Sequence, residues 1–456
     1  MGGDGLLLAL LRTWRYQRLG EEGRRKVREA RLRRVIGVAR ARSPLYSSLY
    51  AGLPRNPGLS SLPPVTKREL MARFDEWPTD RSVRLEELRS FMADADNIGR
   101  EFHRKYLVYA TSGSTGNPTV VLYDRRARNV FSALGVLRGY AHKKDLMALV
   151  RAGKRVAGLY ASGGFYLGAG GIRNVLLKMP WKRKVMRLVS VLDPLPSIVR
   201  ELNDFQPAML GGYPTALELL LDEVEAGRLR ISPVVIMAGG ESLSPGLRER
   251  LARAFSCHVQ TTYSCTEGGI LAGECAEGHL HVNEDWVIVE AVDEAGAAVP
   301  DGTRSEKILV TNLSNLAQPI IRYEVTDRVT MHREGCACGS SLPWLEIDGR
   351  SDEVLDFASG GRRVRIAPLA LYARIRETAG LRRFQLVQGP DGGLELRMEC
   401  SEGHDRVAVF RSAAQGIEAL LAANGVRGTR IDLAPELPSP DPRSGKFRHV
   451  FKAASR

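Results

Sequence analysis

The chain has 456 residues, 44% of them hydrophobic and 26% charged, with a formal net charge of +14. This is an ordinary soluble composition, long enough to bury a large core and to divide into two or more domains, and its six irregularly spaced cysteines do not suggest a disulfide framework. No apolar run approaches the roughly 18 residues that cross a bilayer, and Leu6 to Leu11 is too short, and lacks the basic leader, for a secretory segment, so the cytoplasm is the expected location.

The first sixty residues predict helices. Leu6, Leu10, Leu11 and Trp14 form one stripe, and Val27, Ala30, Leu32, Val35 and Ile36 continue an amphipathic pattern among arginines until Pro54, Pro57, Pro63 and Pro64 break it. The arginine excess between Arg12 and Arg42, and a second cluster at Lys182, Arg183, Lys184 and Arg187, read either as solvated basic faces or as surfaces for an acidic partner. Nothing accompanying the charge suggests nucleic acid: there is no aromatic-rich strand, zinc-finger spacing or helix-turn-helix pattern.

From Tyr106 to about Gln318, short β-branched runs alternate with longer helical ones. Val156 to Tyr160, Ala208 to Leu210, Val234 to Ala238 and Val259 to Thr262 predict strands, and Pro214 to Ala226 and Pro245 to Phe255 predict helices opened by proline. That alternation predicts an α/β fold with parallel layers. Beyond Val282, the segments Trp286 to Val292, Lys307 to Thr311 and Val329 to His332 predict a β-rich subdomain. After Asp352 come Arg363 to Ile366, a helix from Pro368 to Glu377, strands Arg383 to Gln388 and Glu395 to Cys400, a helix near Asp405 to Ala423, and a last strand near Arg430 to Leu433. Those elements make a small α+β module.

Thr111 to Pro118 (TSGSTGNP) follows the apolar run Tyr106 to Ala110. Its glycines can turn backbone N–H groups toward an anion, and Ser112, Ser114 and Thr115 add hydroxyl donors. It is neither a Walker A loop, because no lysine follows Gly116, nor a G-x-G-x-x-G turn. By itself such a loop is either a phosphate cradle or an ordinary solvated turn.

Four later segments keep it company: Tyr263 to Gly268 (YSCTEG), Arg322 to Asp327 (RYEVTD), Gly349 to Asp352 (GRSD) and Ser444 to Lys446 (SGK). In this order, with Pro63 to Leu70 (PPVTKREL) and Leu210 to Pro214 (LGGYP), the chain resembles the adenylate-forming acyl/aryl-CoA ligase superfamily and, within it, the phenylacetate-CoA ligase-like branch. The resemblance implies ATP, Mg²⁺ and coenzyme A. The loop Thr111, Ser112, Gly113, Ser114, Thr115 and Gly116 would hold the β- and γ-phosphates, Thr266 the α-phosphate, Glu267 the Mg²⁺ and Tyr263 the adenine. Glu241 would lie beside adenine and the acyl group, Asp327 would take the ribose hydroxyls, and Arg350 the ribose or phosphate. Asp352 would be the hinge of a mobile small domain, and Lys446 the catalytic cation arriving on a flexible tail. Without the other motifs, Thr266 and Glu267 read as a helix cap, and Arg322, Asp327, Arg350 and Asp352 as a surface charge network.

Two departures stand out. Thr119 occupies the place where many relatives have a lysine, so the fixed phosphate cation is missing or supplied elsewhere, and Ser264 stands where glycine is usual. Cys265 has no evident His–Asp company and is not read as a nucleophile. Cys275, His279, His281, Cys336 and Cys338 form the remaining constellation. Thiolates and imidazole at this spacing suit tetrahedral Zn²⁺, the alternative being buried free thiols, and the resembling branch has cysteines and a histidine in similar places. Of the two histidines, His281 is the expected ligand because it precedes a predicted strand.

The expected organisation is therefore a large N-terminal adenylation domain, 1–349, with parallel sheets and a β-rich subdomain, then a hinge, 350–352, and a small C-terminal domain, 353–456. The expected reaction is ATP-dependent activation of a carboxylic acid with release of pyrophosphate, then transfer to a thiol, with coenzyme A first in line. Tyr160 to Phe165 and Gly211 to Pro214 are candidate walls for a flat aryl acid. An amine acceptor, an acidic carrier protein, a homodimer and an inactive scaffold keeping the fold remain open alternatives.

Overall fold

The computed structural model describes residues 5–111, 118–350, 355–359, 362–366, 371–372, 374–375, 377–439 and 447–453. The α/β alternation becomes a nine-stranded sheet. Its order is Asp327–His332, Trp344–Arg350, Leu280–Val282, Gly269–Glu274, His258–Cys265, Val235–Gly239, Met209–Gly212, Val156–Tyr160 and Met186–Ser190. The five strands from His258–Cys265 to the Met186–Ser190 edge run parallel, and the sheet turns antiparallel at Gly269–Glu274. Burial explains the parallel half: Leu159, Leu210, Ile236 and Val259 are sealed beneath Leu202, Leu217, Leu220 and Leu251 of the connecting helices.

The predicted helices Pro214–Glu225 and Pro245–Phe255 begin at their prolines, where the missing N–H is not needed. Their caps differ. Ser244 caps the second by accepting from Leu247 N at 3.3 Å. Tyr213 cannot cap the first, and the carboxylate of Glu241, in the loop after Val235–Gly239, takes over by accepting from Thr215 N at 3.1 Å and Thr215 Oγ1 at 2.8 Å.

A three-stranded antiparallel sheet, Val287–Val292, Lys307–Asn312 and Tyr323–Val325, forms the β-rich part, and a second contains Glu101–Phe102, Tyr106–Ala110 and Val120–Tyr123. The chain separates into two compact units. The larger takes residues up to Val325 with Val329–Ile347, and the smaller starts at Asp348 and includes Thr326–Arg328. In the smaller unit, Leu381–Gln388 pairs with Leu394–Cys400 and, in parallel, with Val450–Lys452, while Ile431–Leu433 joins the other side. Helix Arg406–Ala423, capped by Asp405, adds Ile417 and Leu421 to a core with Phe384, Leu386, Leu396 and Met398. The expected helix from Pro368 to Glu377 falls mostly outside the described residues; Leu371–Tyr372 and Arg374–Ile375 are helical.

The basic N-terminal segment departs from a merely solvated face. Helices Leu6–Tyr16 and Glu21–Arg42 are anchored on the buried run Asn283, Glu284 and Asp285. Tyr16 donates to Glu284 at 3.0 Å, Arg28 and Arg24 reach the same carboxylate, and Arg31 approaches Asp285 at 3.9 Å while stacking on Trp286. Arg138 from helix Arg125–Arg138 grips Asp285 bidentately at 2.7 and 3.2 Å, and Trp286 Nε1 donates to Thr13 Oγ1 at 2.8 Å. On the outer side Arg25, Lys26 and Arg33 pair with Glu22 and Glu29 of their own helix. Much of the N-terminal positive charge is thus taken up within the chain.

Asp285 is fully buried, and removing it leaves Arg138 and Arg31 as uncompensated buried cations. Asp285→Ala should cost about 3 kcal/mol and lower the thermal midpoint followed by circular dichroism. An unchanged midpoint would show that the anchor is dispensable.

Candidate functional site at the carboxyl ends of the parallel strands

The YSCTEG segment is the end of strand His258–Cys265 and a tight turn into Gly269–Glu274, so the helix-cap alternative for Thr266 and Glu267 is not what the chain builds. The turn is tightly specified. Tyr123 donates to Thr266 O at 2.9 Å, Asn312 Nδ2 donates to Glu267 O at 3.1 Å, and the Gly268 amide points to Cys265 Sγ at 3.2 Å. A Cβ on Gly268 would come within 2.4 Å of Leu271 and 3.0 Å of Val310, so a larger residue there would have to displace those side chains.

This turn buries the Glu267 side chain. Its Oε1 accepts from the Tyr323 hydroxyl at 2.8 Å, and the Thr119 hydroxyl lies 3.4 Å from the same phenol. Burial raises the Glu267 carboxyl above its ordinary range, against the lowering effects of the Tyr323 hydrogen bond and of the Lys67 ammonium. The environment therefore favours an incoming cation.

Arg322 explains how Lys67 comes to be there. It adopts φ of +49°, buries its side chain, and donates to Leu62 O at 2.6 Å while its Nε reaches Glu290 at 3.2 Å. Its carbonyl accepts from Val65 N at 3.0 Å, and Val65 O accepts from Glu324 N at 2.9 Å. The PPVTKREL segment is thereby bridged to Tyr323, and the capping box of Thr66 and Glu69 starts helix Lys67–Ala72 at that point. Arg322 is thus a buried clamp and no surface charge. Lys67 was quoted in the sequence only as part of a motif; its proximity to Glu267 arises from that bridge across more than 250 residues, and no local signal carried it.

The other expected residues are distributed as follows. Thr111 lies at the root of the glycine-rich loop, a connection between the antiparallel strands Tyr106–Ala110 and Val120–Tyr123. Its N–H donates to Thr119 O at 3.0 Å and its hydroxyl accepts from Thr119 N at 2.9 Å. Thr119 itself is fully buried, so its side chain lies in the Glu267–Tyr323 group where a long ammonium would find no water. Ser112, Gly113, Ser114, Thr115 and Gly116, like Asp352 and Lys446, lie outside the described residues. Tyr263 is only 7% exposed and packs with Leu271, Val287 and Val310. Glu241 follows Gly240 at the end of Val235–Gly239 and is tied to Thr215. Asp327 begins strand Asp327–His332 and belongs to the smaller unit, and Arg350 ends strand Trp344–Arg350.

A second group lies in the antiparallel half of the sheet. Ligand atoms of Cys275, His281, Cys336 and Cys338 all lie within 4.8 Å of one another. His281 Nδ1 is 2.9 Å from Leu342 O, which leaves Nε2 facing Cys338 Sγ at 3.3 Å. The Cys338 amide points at Cys336 Sγ and the Ser340 amide at Cys338 Sγ, at 3.5 and 3.4 Å. Three thiols and one imidazole with a second-sphere carbonyl are a fitting donor set for tetrahedral zinc. His279, the alternative histidine, stacks on Trp344 and approaches Cys336 Sγ at 3.2 Å through Nδ1.

Comparison with known proteins gives a consistent picture. The AMP-binding enzyme family profile matches residues 27–306. A phenylacetate-coenzyme A ligase of Thermus thermophilus is 27% identical over 408 residues, covering 84% of this chain and 83% of that protein. A phenylacetate-coenzyme A ligase of Pseudomonas putida is 26% identical over 335 residues, covering 68% and 70%. Among solved structures, 2-hydroxyisobutyryl-CoA ligase in the postadenylation state with 2-HIB-AMP aligns with a TM-score of 0.68 at 20% identity, over 96% of this chain and 91% of that one. The likeness in fold extends over both units.

Because the Glu267 carboxyl is raised above its ordinary 4.5, the folded chain keeps a proton that the unfolded chain has released. That contribution favours the fold at low pH and is lost as pH rises through the raised value. Glu267→Gln, which cannot ionise, should therefore stabilise the chain without nucleotide by about 1 kcal/mol near pH 8, the scale on which strained functional positions yield to substitution, and by almost nothing near pH 4. Thermal melts at both pH values test this; a loss of stability near pH 8 would contradict it.

Proposed function

The chain belongs to the AMP-binding enzyme family, and on that premise we propose that it activates a small carboxylic acid with ATP, releases pyrophosphate, and passes the acyl group to coenzyme A. The observation that carries this reading is the buried Glu267, joined by Tyr323 and Thr119 and held near Lys67. Adenylation brings two anions together, a carboxylate and the α-phosphate, and demands fixed positive charge and oriented donors.

Lys67 supplies a fixed cation in a chain whose glycine-rich loop is followed by Thr119. Glu267 and bound water would hold Mg²⁺, which when present neutralises phosphate oxygens. The Tyr323 hydroxyl keeps the Glu267 carboxylate oriented for that role. The Thr266 hydroxyl, next in the turn, donates to the α-phosphate. The glycine-rich loop holds the terminal phosphates, Tyr263 borders the adenine, Asp327 accepts from the ribose hydroxyls, and Arg350 contacts ribose or phosphate. Lys446 joins the carboxylate and phosphate oxygens during adenylation. Asp352, within the hinge 350–352, lets the small domain 353–456 change its face toward the large domain 1–349 for thiol attack.

For the acid, Tyr160 and Tyr213 meet edge to face at 5.4 Å, and a Cβ on Gly211 would lie 3.1 Å from the Tyr160 hydroxyl. A glycine floor under an aromatic wall favours a flat, aromatic carboxylic acid. The relatives named for phenylacetate support that class.

Carboxylate-dependent exchange of pyrophosphate into ATP, run over a panel of aryl and alkyl acids, tests the reading. Lys446→Ala should lower exchange by about two orders of magnitude or more, and Lys67→Ala by a smaller factor, on the scale of single electrostatic stabilisers. Undiminished exchange in Lys446→Ala would remove it from catalysis, and no exchange with any acid would remove the activity. Mass spectrometry of products formed with coenzyme A or with amines identifies the acceptor.

Zinc held by Cys275, His281, Cys336 and Cys338 is part of the same proposal, as a structural centre. Burial and the neighbouring Cys336 and Cys275 push the Cys338 thiol up, whereas the Cys338 amide and His279 draw Cys336 down against its burial; a bound dication would favour the thiolate of both. Elemental analysis of the purified chain should find zinc stoichiometric with protein, and Cys338→Ser should lose the metal and melt at lower temperature. A metal-free chain with an unchanged melt in Cys338→Ser would overturn it.

A further inference from the structure

Between Asp145 and Asp193 the sequence contains no acidic residue and nine lysines or arginines. In a chain that is 26% charged, with 52 Asp or Glu, so long a gap leaves its cations to acids from elsewhere: Arg173, Lys178 and Arg187 find Asp96, Glu101 and Glu201. Topology then gathers part of the stretch in one place. Val156 pairs with Met186 in parallel strands, and Val156 N donates to Val185 O at 2.9 Å. The turn after helix Lys143–Arg151 and the short helix Pro180–Lys184 therefore leave the sheet side by side, at the starting ends of Val156–Tyr160 and the edge strand Met186–Ser190.

Two kinds of side chain stand out there. Trp181 is 67% exposed, Met147 55% and Val150 49%, all on short helical segments. Among them lie Arg151, Lys154, Lys182, Arg183 and Lys184, none with an ion-pair partner among the described residues. That contrasts with Arg25, Lys26 and Arg33 of helix Glu21–Arg42, which meet glutamates of their own helix. Exposed apolar surface is usually functional when it is gathered, and here it is interleaved with cations.

The position narrows the occupant. Glu241 and Thr266 follow the carboxyl ends of the parallel strands, whereas this patch lies at the amino ends, so the nucleotide and coenzyme A of the proposed reaction do not reach it. An indole amid lysines and arginines that make no ion pair among the described residues, with thioether and aliphatic side chains on the adjoining helix, matches the headgroup layer of an anionic bilayer: cations meet lipid phosphates, and the amphipathic ring sits at the interface. We propose that this end of the sheet is a peripheral docking surface for anionic membrane, with Trp181 entering the headgroup layer and Lys182, Arg183 and Lys184 providing the electrostatic attraction. Binding of this kind is reversible and weakens as salt rises.

The test uses the full chain and vesicles of equimolar phosphatidylglycerol and phosphatidylcholine, with pure phosphatidylcholine vesicles as the neutral comparison. Co-sedimentation should be strong only with the anionic vesicles. It should fall by about tenfold or more on combining Lys182→Glu, Arg183→Glu and Lys184→Glu, since each cation near the surface contributes appreciably. Arg34→Glu with Arg42→Glu and Arg55→Glu changes net charge equally elsewhere and should retain most of the binding. Trp181 should be quenched by brominated phosphatidylglycerol, and Trp181→Phe should lose that component, a readout that survives if the triple variant folds poorly. Pyrophosphate exchange in solution should be unaltered in Trp181→Phe. Equal binding to neutral vesicles, equal loss in the control triple, no vesicle binding, or capture by an acidic protein or nucleic acid in place of vesicles would overturn the proposal.

Discussion

Glu267 is the group around which the larger unit is arranged: a carboxylate with almost no water, one phenolic donor and a lysine at some remove. A buried anion of this kind is costly unless the fold supplies partners or leaves it ready for a cation. Each partner comes from a different stretch of chain. Tyr323 comes from the β-rich sheet, Thr119 from the hairpin after the glycine-rich loop, and Lys67 from a helix near the amino terminus. The carboxylate thus ties three parts of the unit to one turn.

Such an arrangement demands that distant segments be held in register. Arg322 supplies one connection, using a left-handed backbone and a buried guanidinium to fasten Val65 and Leu62 beside Tyr323. Glu284 and Asp285 supply another, taking up cations from helix Glu21–Arg42 and from helix Arg125–Arg138, whose strand-linked start lies just after Tyr123. Tyr123 in turn holds the Thr266 carbonyl. Positive charge in this chain is therefore of two sorts. Some is structural and matched to buried acids, and some, around Trp181, stands unmatched at the surface.

Several features were legible from the sequence for local reasons. Alternating β-branched and amphipathic runs foretold the parallel sheet, because fully buried strands need long apolar stretches and their connections need helices. Proline with a preceding Ser or Tyr foretold both helix starts, although the replacement of Tyr213 by Glu241 as the cap depends on a neighbouring strand. His281 lies in the four-residue Cys/His group, as its placement before a strand suggested, since a strand fixes a side chain more firmly than the turn that carries His279. For Thr266 and Glu267 the alternative of a helix cap rests on Thr followed by an acid, a local helix-start pattern; the pairing of Cys265 with Gly269 makes a hairpin turn there instead.

The residues themselves determined the fold class, the membership in the AMP-binding enzyme family and the identities of the side chains available for chemistry, because these follow from periodicity and from short motifs. What tertiary structure decided was their company. Lys67 within electrostatic reach of Glu267, Thr119 buried against Tyr323, and Arg31 on Asp285 are pairings across tens to hundreds of residues, and no local pattern encodes them. They follow from the cost of leaving a buried charge without a partner, a cost that is settled only once the strands have taken their order.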